Sequence, residues 1–79
     1  MQNIIAKLEE MDVITYVDEE ENWWVNGHAN LSYKGRALEQ IGVTYGDEVC
    51  MIDVMGEYFA VKNAKFEDFE IKINGKLVK

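Results

Sequence analysis

The chain has 79 residues, with 15 acidic against 8 basic side chains and a net charge of −7. This length supports a single domain over residues 1–79, with one hydrophobic core and no room for a second. One cysteine and one histidine exclude an internal disulfide and fall short of a full set of zinc ligands. We therefore expect neither a cofactor nor a metal.

The acidic charge is concentrated at the start of the chain. Residues 1–22 contain seven acids and one base, a net charge of −6, whereas residues 23–79 contain eight acids and seven bases, a net charge of −1. A field of this sign repels phosphate and attracts basic surfaces. We therefore expect the partner to be a basic protein surface rather than nucleic acid.

The start of the chain also indicates a compartment. Charged residues interrupt the apolar ones that follow Met1, unlike the apolar core of a secretory signal. No apolar run approaches the roughly 20 residues that span a bilayer. Because Cys50 has no second cysteine to pair with, it fits a reducing compartment. We expect a cytoplasmic protein without a membrane segment.

The first predicted elements are a short helix and a strand. Apolar residues recur with the helical period over residues 3–11, and Asn3 suits the N-cap position. A helix of this length is not stable alone, so its apolar side must pack on a sheet. Residues 13–17 are β-formers and predict the first strand.

A charged loop and a hairpin are predicted next. Residues 18–22, with the sequence DEEEN, interrupt the strand. An extended segment resumes at Trp23–Val25, and the following Asn26-Gly27 is typical of a two-residue hairpin turn. We expect that turn to return the chain as a strand over Ala29–Tyr33.

The middle of the chain predicts a helical turn followed by a second hairpin. Residues 36–41 carry apolar side chains at helical spacing, and Gly42 suits the left-handed position that ends a helix. Gly46 suits a turn that needs positive φ. Residues 49–54 and 58–61 are then expected to pair with each other across a turn.

The end of the chain completes the predicted fold class. Large apolar residues over 66–73 lead to a second Asn-Gly pair at residues 74–75. One or two short helices against five to seven short strands, joined by closely spaced turns, favour an α+β fold. In this fold the N-terminal helix packs on a small, strongly curved antiparallel sheet or partly open barrel.

One segment carries the motifs of a known family. These are LSYKGRAL at 31–38, IGV at 41–43, GDEV at 46–49, Gly56, and the apolar residues 59–61. Over residues 30–62 the chain resembles the AbrB-like swapped-hairpin group, and most of all its SymE-type branch. The resemblance implies an intertwined dimer with a basic face for DNA, or a toxin directed at nucleic acid.

If the resemblance extends to function, Lys34 and Arg36 are the nucleic-acid-binding residues, with Lys62 and Lys65 as additions. So few bases make too few phosphate contacts for useful affinity at physiological salt, particularly on a chain of net charge −7. The proline that AbrB-type proteins carry after the Gly-Arg pair is also absent. The DNA-binding regulator and the SymE-like toxin therefore stand as alternatives to a protein-binding function.

The candidate partner-binding residues combine acids with aromatic side chains. They are Asp18, Glu19, Glu20, Glu21, Trp23 and Trp24. Adjacent residues of a strand point to opposite faces, so one tryptophan joins the core and the other stays exposed beside four carboxylates. Exposed aromatic residues are enriched in binding hot spots. The simpler interpretation is a solvated loop that keeps the edge of the sheet from aggregating.

The chain contains no catalytic motif that recommends itself. We find no phosphate-binding glycine loop, dinucleotide fingerprint or nucleophile paired with a base, and we expect an exposed His28 and a buried Cys50. The sequence predicts a non-enzymatic, protein-binding module that occupies a basic, nucleic-acid-binding surface of a partner, as phage-type inhibitors do. A homodimer, and an assembly component whose acidic end has no partner, stay open.

Overall fold

The computed structural model describes residues 3–17 and 22–79. Its elements, in chain order, are helix α1 (Ile4–Glu10) and strands β1 (Ile14–Tyr16), β2 (Trp23–Val25), β3 (Ala29–Tyr33), β4 (Arg36–Tyr45), β5 (Glu48–Asp53), β6 (Tyr58–Lys62), β7 (Phe69–Ile73) and β8 (Lys76–Leu77). A short 3-10 helix (Phe66–Asp68) precedes β7. The described chain is mostly strand, with one short helix and a strongly curled antiparallel sheet that forms a half-barrel.

Helix α1 begins and ends close to where the sequence predicts. The Asn3 side chain accepts a hydrogen bond from the Ala6 amide at 3.0 Å, which satisfies one of the free N–H groups of the first turn. Asp12, just after the helix, has a φ of +61° and turns the chain towards β1. The apolar side of α1 is buried, as a helix this short requires.

Strand β4 is the centre of the sheet, and its presence makes the predicted helical turn over residues 36–41 wrong. The register of β4 against β5 shifts between Leu38 and Gln40 and again after Ile41. Each shift inserts an extra residue and interrupts the alternation of a regular strand. The two buried residues Leu38 and Ile41 are therefore three positions apart, which is also the spacing of a helix.

Gly42 lies inside β4 and does not end a helix. It is not among the residues of positive φ, so the predicted left-handed cap is also wrong. A Cβ at this position would lie 3.2 Å from Asn22 Oδ1 and 3.5 Å from Cys50 Cβ. A glycine here permits the close approach of β4 to the segments on both of its sides.

The predicted hairpin at Asn26-Gly27 is wrong as well. Strand β2 pairs with β1 and β4 but not with β3, so that β2 and β3 follow one another along the same edge of β4. Asn26 explains the difference because it is tied to the β1 side. Its amide donates to the Val13 carbonyl at 2.9 Å and its side-chain Nδ2 to the Asp12 carbonyl at 2.9 Å. These bonds compete with the tight turn.

The last two predicted hairpins are confirmed. Strands β5 and β6 pair across the turn at residues 54–57, and β7 pairs with β8 across Asn74-Gly75. Asn74 and Gly75 have φ values of +51° and +81°, as a turn that matches the twist of a hairpin needs. The positive φ of Gly46, +61°, is also as predicted.

Among the described residues, one cluster of buried side chains lies between α1 and the inner face of the sheet. Its members are Ile4, Ile5, Leu8, Val13, Ile14, Ala29, Leu31, Tyr33, Leu38, Ile41, Val49, Met51, Phe69 and Ile71. Side chains of both ends of the chain and of β4 therefore share one core.

Candidate functional site

Strands β1 and β2 stand on either side of the acidic segment. Tyr16 and Trp23 are paired directly across the two strands, and the Val17 amide donates to the Asn22 carbonyl at 3.1 Å. The predicted site residues Asp18, Glu19, Glu20 and Glu21 connect these strands but lie outside the described residues. The structure therefore describes the two strands that this segment joins.

Trp23 lies on the inner face and is half-buried against the core. Its ring meets Tyr16 edge-on, with centroids 5.0 Å apart, and its Nε1 donates to Glu9 Oε2 at 3.3 Å. A shallow groove of about 200 Å³ beside the indole is lined by Asn3, Ile5, Ala6, Glu9, Trp23 and Val43. Trp23 thus links the beginning of β2 to helix α1.

Trp24 points to the opposite, outer face of the sheet. The residue is 39% exposed. Residues that pair directly across antiparallel strands share a face, and Trp24 pairs with Gln40, which pairs with Ile52, which pairs with Tyr58. We call Trp24, Gln40, Ile52 and Tyr58 the outer row. It crosses four strands and contains two exposed aromatic side chains.

Cys50 lies beside this row and is half-buried rather than buried, so the prediction for it is wrong. The Tyr58 hydroxyl donates a hydrogen bond to Cys50 Sγ at 3.0 Å. This bond, together with the nearby thiol, raises the pKa of Tyr58. At neutral pH Tyr58 is therefore an uncharged phenol that is held in place on the outer face.

Arg36, one of the two bases of the nucleic-acid alternative, is engaged within the protein. Its Nε lies 2.8 Å from Asp53 Oδ2, its Nη2 lies 2.7 Å from Glu57 Oε1, and its guanidinium stacks 3.8 Å from the centre of the Phe59 ring. Hydrogen bonds to Asp53 and Glu57 raise the pKa of Arg36. Its charge is neutralised by the two carboxylates, which reduces its attraction for phosphate.

Asp53 organises the turn between β5 and β6. Its carboxylate accepts hydrogen bonds from the Glu57 amide at 2.9 Å, the Met55 amide at 2.9 Å and Arg36. The Glu57 amide, followed by Arg36 and the Met55 amide, lowers the pKa of Asp53, against an opposing effect of burial. Because this carboxylate is buried and has its hydrogen-bond partners within the protein, we infer that Asp53 stabilises the turn.

The other bases of the nucleic-acid alternative are spread over the surface. Lys34 is exposed at a turn with a φ of +48° and lies 4.0 Å from Asp68. Lys62 and Lys65 are exposed on β6 and after it.

In the described ranges no group of three or more histidine, cysteine or acidic side chains could hold a metal ion. His28 is exposed and contacts the Asp12 carbonyl at 3.0 Å.

Sequence reasoning found Trp24 but missed its neighbours on the outer face. Tyr58 and Ile52 come from strands that follow β2 by about one-third of the chain, and only the pairing of β2 with β4 brings them into one row. A signal was present in the sequence of β6, which reads YFAVK. Side chains alternate between the two faces of a strand, so Tyr58 and Phe59 must point to opposite faces.

Comparison with known proteins adds no relative: no protein-family model, curated protein or solved structure matches this chain. The similarity to the AbrB-like group therefore stays a prediction. Within residues 3–17 and 22–79, no helix has the length and apolar character needed to cross a membrane.

Proposed function

We propose that this protein is a non-enzymatic binding module that attaches to a basic surface of another protein. The acidic segment 18–21 supplies the charge, and Trp24 supplies the apolar anchor. The observation that carries the proposal is the position of Trp24, a residue that is 39% exposed on the strand that begins just after the four acidic residues.

The charge distribution supports a basic partner. The first 22 residues have a net charge of −6 and the other 57 a net charge of −1, so the negative field is strongest around the β1–β2 hairpin. Complementary fields accelerate encounter and reject partners of the wrong sign. Charge alone gives weak and salt-sensitive binding, however, so an apolar contact is needed as well.

The outer row offers that contact. Trp24 at one end and Tyr58 at the other are both exposed, and aromatic side chains of this kind provide most of the binding energy in many interfaces. The flat face of an indole also attracts guanidinium and ammonium groups. We therefore infer a partner surface rich in arginine and lysine with at least one apolar side chain among them.

A surface of this chemistry is typical of proteins that bind nucleic acid. Their grooves are lined by basic side chains and often by aromatic ones, on which bases stack. An acidic module with an exposed indole matches both features, since its carboxylates take the place of phosphates and its ring the place of a base. The proposed role is therefore that of an inhibitor that competes with nucleic acid for such a groove.

We also propose a fold class and a compartment. The fold is of the α+β class, with α1 packed on the inner face of a partly open barrel, and the protein acts in the cytoplasm. Direct binding of DNA is not proposed, because Arg36 is paired with Asp53 and Glu57 and the whole chain is acidic.

The test uses a synthetic arginine-rich peptide that contains one leucine, titrated into the protein at about 0.15 M salt. Reversing Glu19, Glu20 and Glu21 to lysine should abolish binding, since it changes the net charge from −7 to −1 where the field is strongest. Trp24→Ala should weaken binding by about 30-fold, the effect of a hot-spot residue.

The matched control reverses three exposed acids elsewhere in the chain. Asp47→Lys with Glu67→Lys and Glu70→Lys gives the same net charge of −1 and leaves segment 18–21 intact. This variant should bind the peptide. Equal losses in the two triple variants would show a general charge effect and would refute the proposed site.

A further inference from the structure

Strand β6 forms an open edge of the sheet, on the side away from the acidic segment. One arm of the sheet has the order β1-β2-β4-β5-β6, and among the described residues β6 pairs with no strand except β5. The acidic segment follows β1 and therefore belongs to the other end of this arm. This edge is separate from the acidic segment and from Trp24, and it shares only Tyr58 with the outer row.

The hydrogen bonds to β5 show which groups of β6 face the open edge. The Asp53 amide donates to the Glu57 carbonyl at 3.0 Å, and the Asn63 amide donates to the Asp47 carbonyl at 2.7 Å. In an antiparallel pair such bonds recur at every second residue. Odd-numbered residues of β6 therefore bond to β5, and even-numbered residues direct their N–H and C=O groups away from it.

The even-numbered residues are Tyr58, Ala60 and Lys62, and all three are exposed. Their outward N–H and C=O groups have no backbone partner in the part of the chain that the structure describes. Proteins usually protect such an edge with a proline, a bulge or several charges. Strand β6 has neither a proline nor a bulge, and Lys62 is its one charged residue.

We propose that two copies of this chain associate by antiparallel pairing of their β6 strands, with Ala60 of one copy opposite Ala60 of the other. In this register each Ala60 exchanges two backbone bonds with its counterpart, and Tyr58 of one copy does so with Lys62 of the other. Every outward N–H and C=O group of β6 is then paired, and the two half-barrels share one continuous sheet.

The side chains favour this register over its neighbours. Lys62 lies opposite Tyr58 of the second copy, where an ammonium group and a ring attract each other, and the small Ala60 residues meet at the two-fold axis. A shift that centres the pairing on Lys62 would bring two like charges together. A shift that centres it on Tyr58 would leave Lys62 beyond the pairing. The register centred on Ala60 is the one that pairs all three even-numbered residues of β6 with residues of the other β6.

The distribution of charge along the chain permits a second copy at this edge. Each chain has a net charge of −7, so a second copy is repelled at long range, but six of the seven net charges belong to residues 1–22 at the other end of the arm. Pairing through β6 keeps these ends far apart. It also covers more of Phe59 and Val61, which are only half-buried in one copy.

The test is sedimentation velocity of the full chain over a wide range of concentration. The wild-type protein should sediment as a dimer at high concentration and dissociate on dilution. Ala60→Lys and Ala60→Glu should each be monomeric, because each places two like-charged side chains opposite one another, on Cα atoms about 5.5 Å apart across the two-fold axis. A mixture of the two variants should form a heterodimer, since the opposed charges are then complementary.

The matched controls are Ala37→Lys and Ala37→Glu, which change an exposed alanine on β4, a strand with neighbours on both sides. They should leave the dimer intact. Far-UV circular dichroism checks that all variants fold, and the mixing experiment stays informative if one of them is less stable. A monomeric wild type, Ala60 variants that stay dimeric, or folded variants that fail to associate when mixed would each overturn the proposal.

Discussion

The two tryptophans of β2 should differ sharply when each is replaced by alanine, because they lie on opposite faces of the sheet. A buried tryptophan costs about 3–5 kcal/mol on replacement by alanine. Trp23 is half-buried, with an edge-on contact to Tyr16 and a hydrogen bond to Glu9, so we expect Trp23→Ala to cost about 2–3 kcal/mol.

Trp24→Ala should cost about 1 kcal/mol, because it removes cross-strand contacts on an exposed face and leaves the core intact. A domain of this size has a net stability of roughly 3–5 kcal/mol, so Trp23→Ala removes most of it and Trp24→Ala a minor part. Urea unfolding followed by far-UV circular dichroism measures both changes. Equal losses, or a larger loss for Trp24→Ala, would refute the assignment of the two faces.

Tryptophan fluorescence distinguishes the two indoles by a second measurement, in which each tryptophan in turn is replaced by phenylalanine instead of alanine. Trp23→Phe keeps the exposed Trp24 as the single fluorophore, and Trp24→Phe keeps the half-buried Trp23. We expect emission at longer wavelength and stronger quenching by acrylamide from the protein that retains Trp24. The opposite order of quenching would place Trp24 in the core.

The remaining predictions concern the turns and the core. The pKa of Asp53 is held below its ordinary value of 3.8, so its contribution to stability is complete above that pH and is lost as the pH falls through its pKa in the folded protein. Asp53→Asn should remove this acid dependence. The measurement compares the urea midpoints of the variant and the wild type from about pH 5 to about pH 2, and the difference between them should change with pH. Parallel curves of urea midpoint against pH would contradict the prediction. Leu8→Ala should cost about 2–5 kcal/mol and leave much of the protein unfolded by circular dichroism, because Leu8 is fully buried under α1. Gly75→Ala should cost about 1–2 kcal/mol because Gly75 has a φ of +81°, and an unchanged urea midpoint would contradict this.

The parts of the fold that were predicted correctly depend on local signals. The cap and period of α1, the turn at Gly46 and the last Asn-Gly hairpin are each determined within a few residues, so the sequence around them is sufficient. The curved antiparallel sheet follows from the density of such turns.

The errors arise where tertiary structure overrides a local pattern. The two irregularities of β4 put Leu38 and Ile41 at helical spacing although both belong to a strand. The Asn26-Gly27 pair carries a strong hairpin signal, but Asn26 bonds to the segment before β1, so β4 takes the place beside β2. Both outcomes depend on contacts between distant residues.

The candidate site was only partly accessible from sequence for the same reason. The acidic bias and the alternation of the two tryptophans follow from residue order alone. Which indole is exposed depends on the register of β2 against β4, and the pairing of Arg36 depends on Asp53 and Glu57, which come from the turn after β5. Neither could be deduced from its own segment.

The most direct test of the proposed function is a nitrogen–proton NMR titration of the full chain with the arginine-rich peptide. The two indole N–H signals report the two faces of β2 separately. We predict that the Trp24 indole signal and the amides of residues 18–22 shift together, while the Trp23 indole signal, bonded to Glu9, changes little. Shifts that leave Trp24 and residues 18–22 unaffected would contradict the account.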